Sequence, residues 1–242
     1  RGAIARMRSP VVWLAVVEPR RVESRTLSEP ESKALVAAYG VPVPSEATAT
    51  NAAEAADAAD RVGYPVVLKL AGGSIAHKTE RGLVRLGIRT RSDAEAAAAE
   101  LLALARPDDG RVELLVAPMV SGDRELIAGM MRDQQFGALV AFGLGGVLAE
   151  AIGDVVFAPA PLNAADAEAL IDRLAGQAVL GGFRGRPGVD RAALVGLLSG
   201  LGRLADERAD VVSVDLNPLI VCDGRPIAVD ALVELTSSEE AP

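Results

Sequence analysis

The stretch DLNPLIVCDGRPIAVD, residues 215–230, reads as two strands folded back at Asp223-Gly224. That dipeptide supplies the backbone freedom a two-residue hairpin turn needs. With the turn there, Cys222 faces Arg225, and counting outward sets Asn217 opposite Asp230. Directly opposed residues bring their Cβ atoms to about 4.5–5.5 Å. Asp215 lies two residues before Asn217, on the same face of its strand. Two carboxylates and an amide oxygen therefore converge. Hard oxygens of this kind suit Mg²⁺, which takes one or two protein ligands and completes its shell with phosphate and water. The same residues also read as a solvated polar face, and Pro218 limits ladder bonding beside them.

A second unusual charge stands far upstream. YPVVLKL (64–70) is a buried strand, and Lys69 lies among its apolar residues. An ammonium there needs a partner or a route to water. A bound phosphate is one solution, and snorkelling to the surface is the other. Gly72 and Gly73 follow, so backbone N–H groups could approach an anion unobstructed. GGSIAHKTERG (72–82) then carries His77, the single histidine of the chain. A neutral imidazole is a nucleophile near pH 7. Phosphoryl transfer to it needs cations nearby, and Lys69 and Lys78 are close in sequence. Alone, His77 equally reads as a solvated loop residue. FGLGG (142–146) matches neither the P-loop nor the dinucleotide fingerprint and by itself is a turn. Arg124, Glu125 and Glu150 read singly as surface residues. GGFRGRPG (181–188) reads as an ordered loop with an interaction role open.

The remaining pattern sets the architecture. Ser28-Glu-Pro-Glu31 is a capping box opening a helix over 29–39 that Gly40 stops. Asn51 and Glu54 open an alanine-rich helix ending near Gly63, and Ser92 with Glu95 caps a third, to about Arg106. Further helices start at Asn163 and Asp190. Strands are expected over 83–88, 111–119, 124–131, 137–143 and 154–159. Helices interleave with strands, and many strands follow one another through turns. That combination predicts α+β lobes with mixed or antiparallel sheets. Residues 1–27 are basic and irregular and read as a linker or peripheral segment.

Composition limits the partners. Half of the 242 residues are hydrophobic, but only 3% are aromatic, so alanine and branched aliphatics must fill the core. A net charge of −8 argues against nucleic acid and acidic membranes as partners. Cys222 is the single cysteine, which leaves no disulfide framework and no thiolate zinc cage. The apolar run Val11–Val17 is too short to span a bilayer. A reduced cytoplasmic setting is expected.

The segments SKALVAAYGVPVP, GYPVVLKL, HKTERGLV, DRELIAGMMRDQQFG, FGLGG with Glu150, LGGFRGRPGVD and DLNPLIV…AVD occur in an order that resembles one family. It is the ATP-grasp domain of the NDP-forming acyl-CoA synthetases, and more distantly the succinyl-CoA synthetase β subunit. The match runs from about residue 28 to 235. It implies an ATP-grasp fold of two α+β subdomains with the nucleotide between them. The inserted lobe would span roughly 49–117, the main lobe 28–48 and 118–235, and the tail 236–242. The implied activity interconverts an acyl-CoA, ADP and phosphate with a carboxylic acid, CoA and ATP through a phosphohistidine. Carried over, Lys69 would contact nucleotide phosphates beside Gly72 and Gly73. Val116, Ala117, Pro118 and Met119 would be the hinge offering backbone groups to adenine. Glu125 would lie near the ribose, with Gly145 and Gly146 beside the nucleotide. Asn217 and Asp230 would hold Mg²⁺ with Asp215 supporting, and His77 would carry phosphate. Two positions depart from the family pattern. Arg81 and Leu83 flank a single Gly82 where paired glycines are usual, and Ala117-Pro118 stands where Gln or Glu is common. Nothing in the chain resembles the CoA-binding and ligase domains, so these belong to a partner subunit or a longer parent chain, where CoA and the acid would bind. Two other readings are a regulatory or inactive ATP-grasp-like module, as in an acetyltransferase fusion, and a carboxylate–amine ligase that dispenses with His77.

Overall fold

The structure, a computed structural model, describes residues 24–72, 75, 81–146, 153–182 and 185–236. Helix α1 (Glu29–Ala38) begins where the capping box places it. The Glu31 carboxylate accepts from the Ser28 N–H at 2.8 Å and from its hydroxyl at 2.6 Å, satisfying a donor the helix itself cannot. Gly40, at φ +88°, ends the helix with a conformation other residues rarely adopt.

Residues 47–118 build one lobe from β2 (Ala47–Ala49), α2 (Ala52–Val62), β3 (Val66–Gly72), β4 (Val84–Ile88), α3 (Arg91–Ala103) and β5 (Val112–Pro118). Its sheet runs β2-β5-β3-β4, and every pair is antiparallel. Asn51 caps α2 by accepting from the Glu54 N–H at 3.0 Å. The cap of α3 lies two residues earlier than the sequence reading puts it. Thr90, not Ser92, accepts a helix N–H, that of Asp93. Thr90 has the extended backbone a cap requires, at φ −135° and ψ 157°, and Ser92 already lies inside the helix. The two helices meet through Ala55, Ala58 and Ala59 against Ala94, Ala97 and Ala98, which belong to one buried cluster. Methyl-sized side chains let the backbones approach closely, so a core poor in aromatics can still be dense.

The other lobe holds β1 (Ser24–Thr26), α1, β6 (Arg124–Asp133), β7 (Gly137–Leu144), β8 (Val155–Pro159), α4 (Ala164–Asp172), α5 (Gln177–Leu180), α6 (Arg191–Glu207), β9 (Val211–Cys222), β10 (Arg225–Ala228) and β11 (Leu232–Thr236). Its sheet order is β1-β11-β9-β6-β7-β8, with β10 alongside β9. Part of the stretch read as an irregular peripheral segment is therefore structured. Ser24–Thr26 pair antiparallel with β11. A three-residue edge strand of exposed polar residues has no buried face, so it shows no alternation to read. The core beneath this sheet joins Val36, Leu170, Ile171, Leu197 and Leu201 of the helices to Met130, Phe142, Val214 and Leu219 of the strands.

One irregularity decides which way the hairpin points. Strands β6 and β9 slip register between the pairs Leu126↔Leu219 and Ala128↔Leu216, which leaves an extra residue in β9. Before the slip Val214 and Leu216 face the core, and after it Leu219 and Val221 do. Such a bulge reverses the strand's alternation locally. Asp215, Asn217 and Ile220 therefore all lie on the side away from the core.

Helix α6 crosses α1 at a contact with no room for a side chain. A Cβ on Gly200 would stand 2.1 Å from the Tyr39 carbonyl oxygen. Gly200→Ala gains helix propensity but must push two backbones apart, a net loss of about 2 kcal/mol. Urea denaturation should show a lower midpoint with an unchanged slope; an unchanged midpoint would contradict this packing.

Candidate functional site

The Lys69 side chain leaves β3 and ends in the other lobe. Its ammonium donates to Glu29 Oε1 at 2.6 Å and to the Val229 carbonyl at 2.9 Å, and stands 4.0 Å from Asp230 Oδ1. Glu29 also accepts from Lys33 at 2.8 Å, and Lys33 bonds Glu46 in turn. A chain of alternating charge, Glu46–Lys33–Glu29–Lys69–Asp230, thus runs from the segment before β2 to the last hairpin. Burial pulls the Lys69 pKa down, but Asp230, Glu29 and Glu46 outweigh it and raise the ammonium's pKa above the ordinary lysine value. Burial pushes Glu46 up, against the pull of Lys33.

Glu29 is a site residue that sequence reasoning missed, because it was assigned only to a helix start. A signal was present. Glu29, Ser32, Lys33 and Val36 follow the i, i+3, i+4, i+7 stripe of a core-facing surface and are all buried. Two charges on such a stripe must be paired inside the fold, and the pairing partner is the strand lysine.

The hairpin register agrees with the count from its turn. Ala228 lies opposite Leu219 and Leu232 opposite Asp215, which sets Asp230 opposite Asn217. Asp215 is 9% exposed, while the Asp230 side chain is 41% exposed. Among the described residues no three His, Cys, Asp or Glu side chains form a closed metal cage. An open face of carboxylate and amide oxygens instead fits a hard cation that takes other ligands from phosphate and water.

A pocket of ≈ 530 Å³ opens further along the same side of β9. Met119, Gly122, Arg124, Glu125, Gly145, Gly146 and Ile220 are among its walls. The Gly145 N–H bonds the Glu125 carbonyl at 2.8 Å. A Cβ on Gly146, at φ +82°, would lie 3.4 Å from Glu125 Oε2, so glycine leaves that carboxylate its space. Arg124 holds Val179, Gly181 and Pro187 to this wall through their carbonyls. Ile220 is three residues from Asn217, about 10 Å along a strand, and the bulge puts both on one side. The pocket and the charged cluster are thus neighbours.

The other expected residues are placed as follows. Val116 is paired on both sides, with Ala47 and Leu68, and Ala117 faces Val67. Pro118 lies opposite Val66, and the Met119 N–H bonds the Pro65 carbonyl at 2.9 Å. Gly72 ends β3, where a Cβ would come 3.1 Å from the Arg111 carbonyl. Gly73, His77 and Glu150 lie outside the described residues. Arg81, one of the departures from the family pattern, makes a two-pronged ion pair with Asp109 at 2.7 and 2.9 Å.

The chain matches the ATP-grasp domain family over residues 19–235. It belongs to that family. It is 36% identical over 219 residues to the β subunit of acetate–CoA ligase (ADP-forming) I of Pyrococcus furiosus, covering 89% of this chain and 94% of that one. It is 37% identical to acetate–CoA ligase (ADP-forming) I of Archaeoglobus fulgidus, a longer chain of which it covers 30%. Among solved structures, this ATP-grasp domain is similar to the dinucleotide-forming acetyl-coenzyme A synthetase 1 of Ca. Korarchaeum cryptofilum in complex with coenzyme A, Ca-AMPCP and HgCl⁺. That match has a TM-score of 0.81 and 35% identity over 87% of this chain and 93% of the other. A second structure of that enzyme holds coenzyme A and Mg-AMPPCP, with a phosphohistidine segment pointing towards the nucleotide binding site. It has a TM-score of 0.76 and 34% identity over the same shares.

The Arg81 pair gives a pH signature. Hydrogen bonds from Arg81 and then from the Arg106 N–H hold the Asp109 carboxyl at about 2, below its ordinary 3.8. A carboxylate depressed in the fold stabilises it above its unfolded pKa, and the contribution is lost as pH falls through the folded one. Arg81→Met should therefore remove part of the stability that the unaltered protein keeps above pH 3.8 and loses towards about 2. Urea unfolding across that range checks this, and parallel curves for the two proteins would contradict it.

Proposed function

We propose that this domain is the nucleotide-binding component of an NDP-forming acyl-CoA synthetase. The observation that carries the reading is the Lys69 ammonium, delivered by one lobe to within 4.0 Å of Asp230 on the other. A polyphosphate chain requires such a place: a fixed cation for its oxygens and acidic oxygens for its metal. The ≈ 530 Å³ pocket beside it is suited to the base and ribose. Met119 and its neighbours Val116, Ala117 and Pro118 would face the base, and Glu125 the ribose. Gly145 and Gly146 would line the floor, with Gly72 and Gly73 near the phosphates. Asn217 and Asp230, supported by Asp215, would hold Mg²⁺, which when bound supplies neutralising charge to the phosphates.

In the forward half-reaction Lys69 orients the terminal phosphate and draws charge from its oxygens. The His77 imidazole nitrogen forms a bond to the terminal phosphorus of ATP as the bond to the bridging oxygen breaks, and ADP leaves with that oxygen. In reverse, a phosphohistidine recharges ADP. The acid and CoA would bind on a separate CoA-binding and ligase subunit, or on further domains of a longer chain. Relatives of both arrangements exist, since one is a β subunit and another a chain about three times this domain's span. The lone cysteine accords with a cytoplasmic setting, and among the described residues no helix is long and apolar enough to cross a membrane.

Incubation with γ-labelled ATP and Mg²⁺ tests the transfer. Acid-labile, alkali-stable label on the protein, absent from His77→Ala, is the expected result. Nucleotide binding without label would leave only a binding module. For the metal, Asn217→Ala and Asp230→Ala should each weaken Mg-nucleotide binding, by about tenfold or more for the charged residue, without loss of fold. Unchanged affinity by calorimetry in both variants would put the metal elsewhere.

A further inference from the structure

Two cations claim one carboxylate in this site. Lys69 Nζ stands 4.0 Å from Asp230 Oδ1 and donates to the adjoining Val229 carbonyl. On the functional reading above, Asp230 is also a ligand of the divalent cation. The ammonium cannot simply swing aside, because Glu29, wholly buried, pins it at 2.6 Å and the lysine is 9% exposed. Among the described residues, Glu29, Glu46 and Asp230 lie on one charge chain with Lys33 and Lys69, and Asp215 lies on the hairpin beside it. Stripped of Lys69, the cluster would attract a lone divalent ion; with Lys69 in place, such an ion would meet a fixed like charge at short range.

We propose that Lys69 competes with the divalent cation at Asp230, so that the hairpin oxygens accept the cation together with a polyphosphate and not before it. The inference rests on the functional reading only for the identity of the cation's ligands. A phosphate oxygen beside Lys69 gives the ammonium an acceptor in place of Asp230, with the Glu29 bond kept, and places negative charge between the two cations. Both then fit where one alone did. By linkage, nucleotide raises the affinity for the cation by the same factor as the cation raises that for nucleotide. Lys69 thus guards its own metal site as well as binding phosphate, and the domain avoids holding a metal ion that has arrived without its nucleotide.

Mn²⁺ binding to the full chain, followed by electron paramagnetic resonance without nucleotide, tests this. Lys69→Met should bind Mn²⁺ about tenfold or more tightly than the unaltered protein. Lys69→Met with Asp230→Asn should lose that gain, which locates it at the hairpin. Lys69→Met leaves Glu29 with one partner fewer and could fail to fold. Lys69→Met with Glu29→Gln removes both members of the buried pair and carries a gain of the same sign. The proposal is overturned if neither Lys69 variant binds Mn²⁺ more tightly than the unaltered protein, or if the gain survives Asp230→Asn. Binding of Mn²⁺ and ADP by the unaltered protein separates the two levels. ADP binding without a Mn²⁺ gain defeats this inference alone, whereas no ADP binding defeats the functional reading itself.

Discussion

The Glu29 carboxylate sits between two ammonium groups, Lys33 of its own helix and Lys69 of the other lobe, and no water reaches its side chain. A buried charge survives only if it is matched, and removing one member of such a pair leaves an uncompensated charge that costs about 3–5 kcal/mol. Among the described residues the two lobes have separate apolar clusters, and the charge chain is a specific tie between them. It also fixes the head of Lys69 at the edge of the last hairpin, where the site is built.

The hairpin contributes the acidic half of the site through an irregularity. In a regular strand, Asn217 and Ile220 would point to opposite faces, since side chains alternate. The extra residue opposite Leu126 and Ala128 cancels one alternation. Polar oxygens near Lys69 and the apolar wall of the pocket consequently form one surface about 10 Å long. An elongated ligand with a flat apolar end and an anionic tail matches that surface, as a nucleotide does. The fit comes from backbone register, and a change of one residue in β9 would turn the acids into the core.

Legibility in the sequence followed the range of the interaction. The capping box at Ser28 and the cap at Asn51 were readable because both partners lie within four residues. The pairing of Asn217 with Asp230 was countable because a two-residue turn sets the register of everything outside it. Lys69 was visible as an anomaly, a charge in an apolar strand, but its partner was not. Glu29 lies forty positions away, and nothing local links a helix start to a strand interior. The pocket was hidden for the same reason, since Met119, Glu125, Gly145 and Ile220 meet only when three strands are aligned. The order of family motifs supplied that long-range information where spacing could not. The cap of α3 shows the opposite failure. Thr90 and Ser92 both carry a suitable hydroxyl, and the backbone, extended at Thr90 and helical from Arg91 on, separates them.

The central claim is that Lys69 and the Asn217–Asp230 pair act on one ligand. A crystal structure of the domain grown with Mn²⁺ and a non-hydrolysable ATP analogue tests it most directly, because anomalous scattering locates the metal independently of the protein. The predicted result is one strong peak within coordination distance of the Asp230 and Asn217 side-chain oxygens, with Lys69 Nζ hydrogen-bonded to a phosphate oxygen. A metal peak away from the hairpin, or a nucleotide whose phosphates do not reach Lys69, would contradict the account.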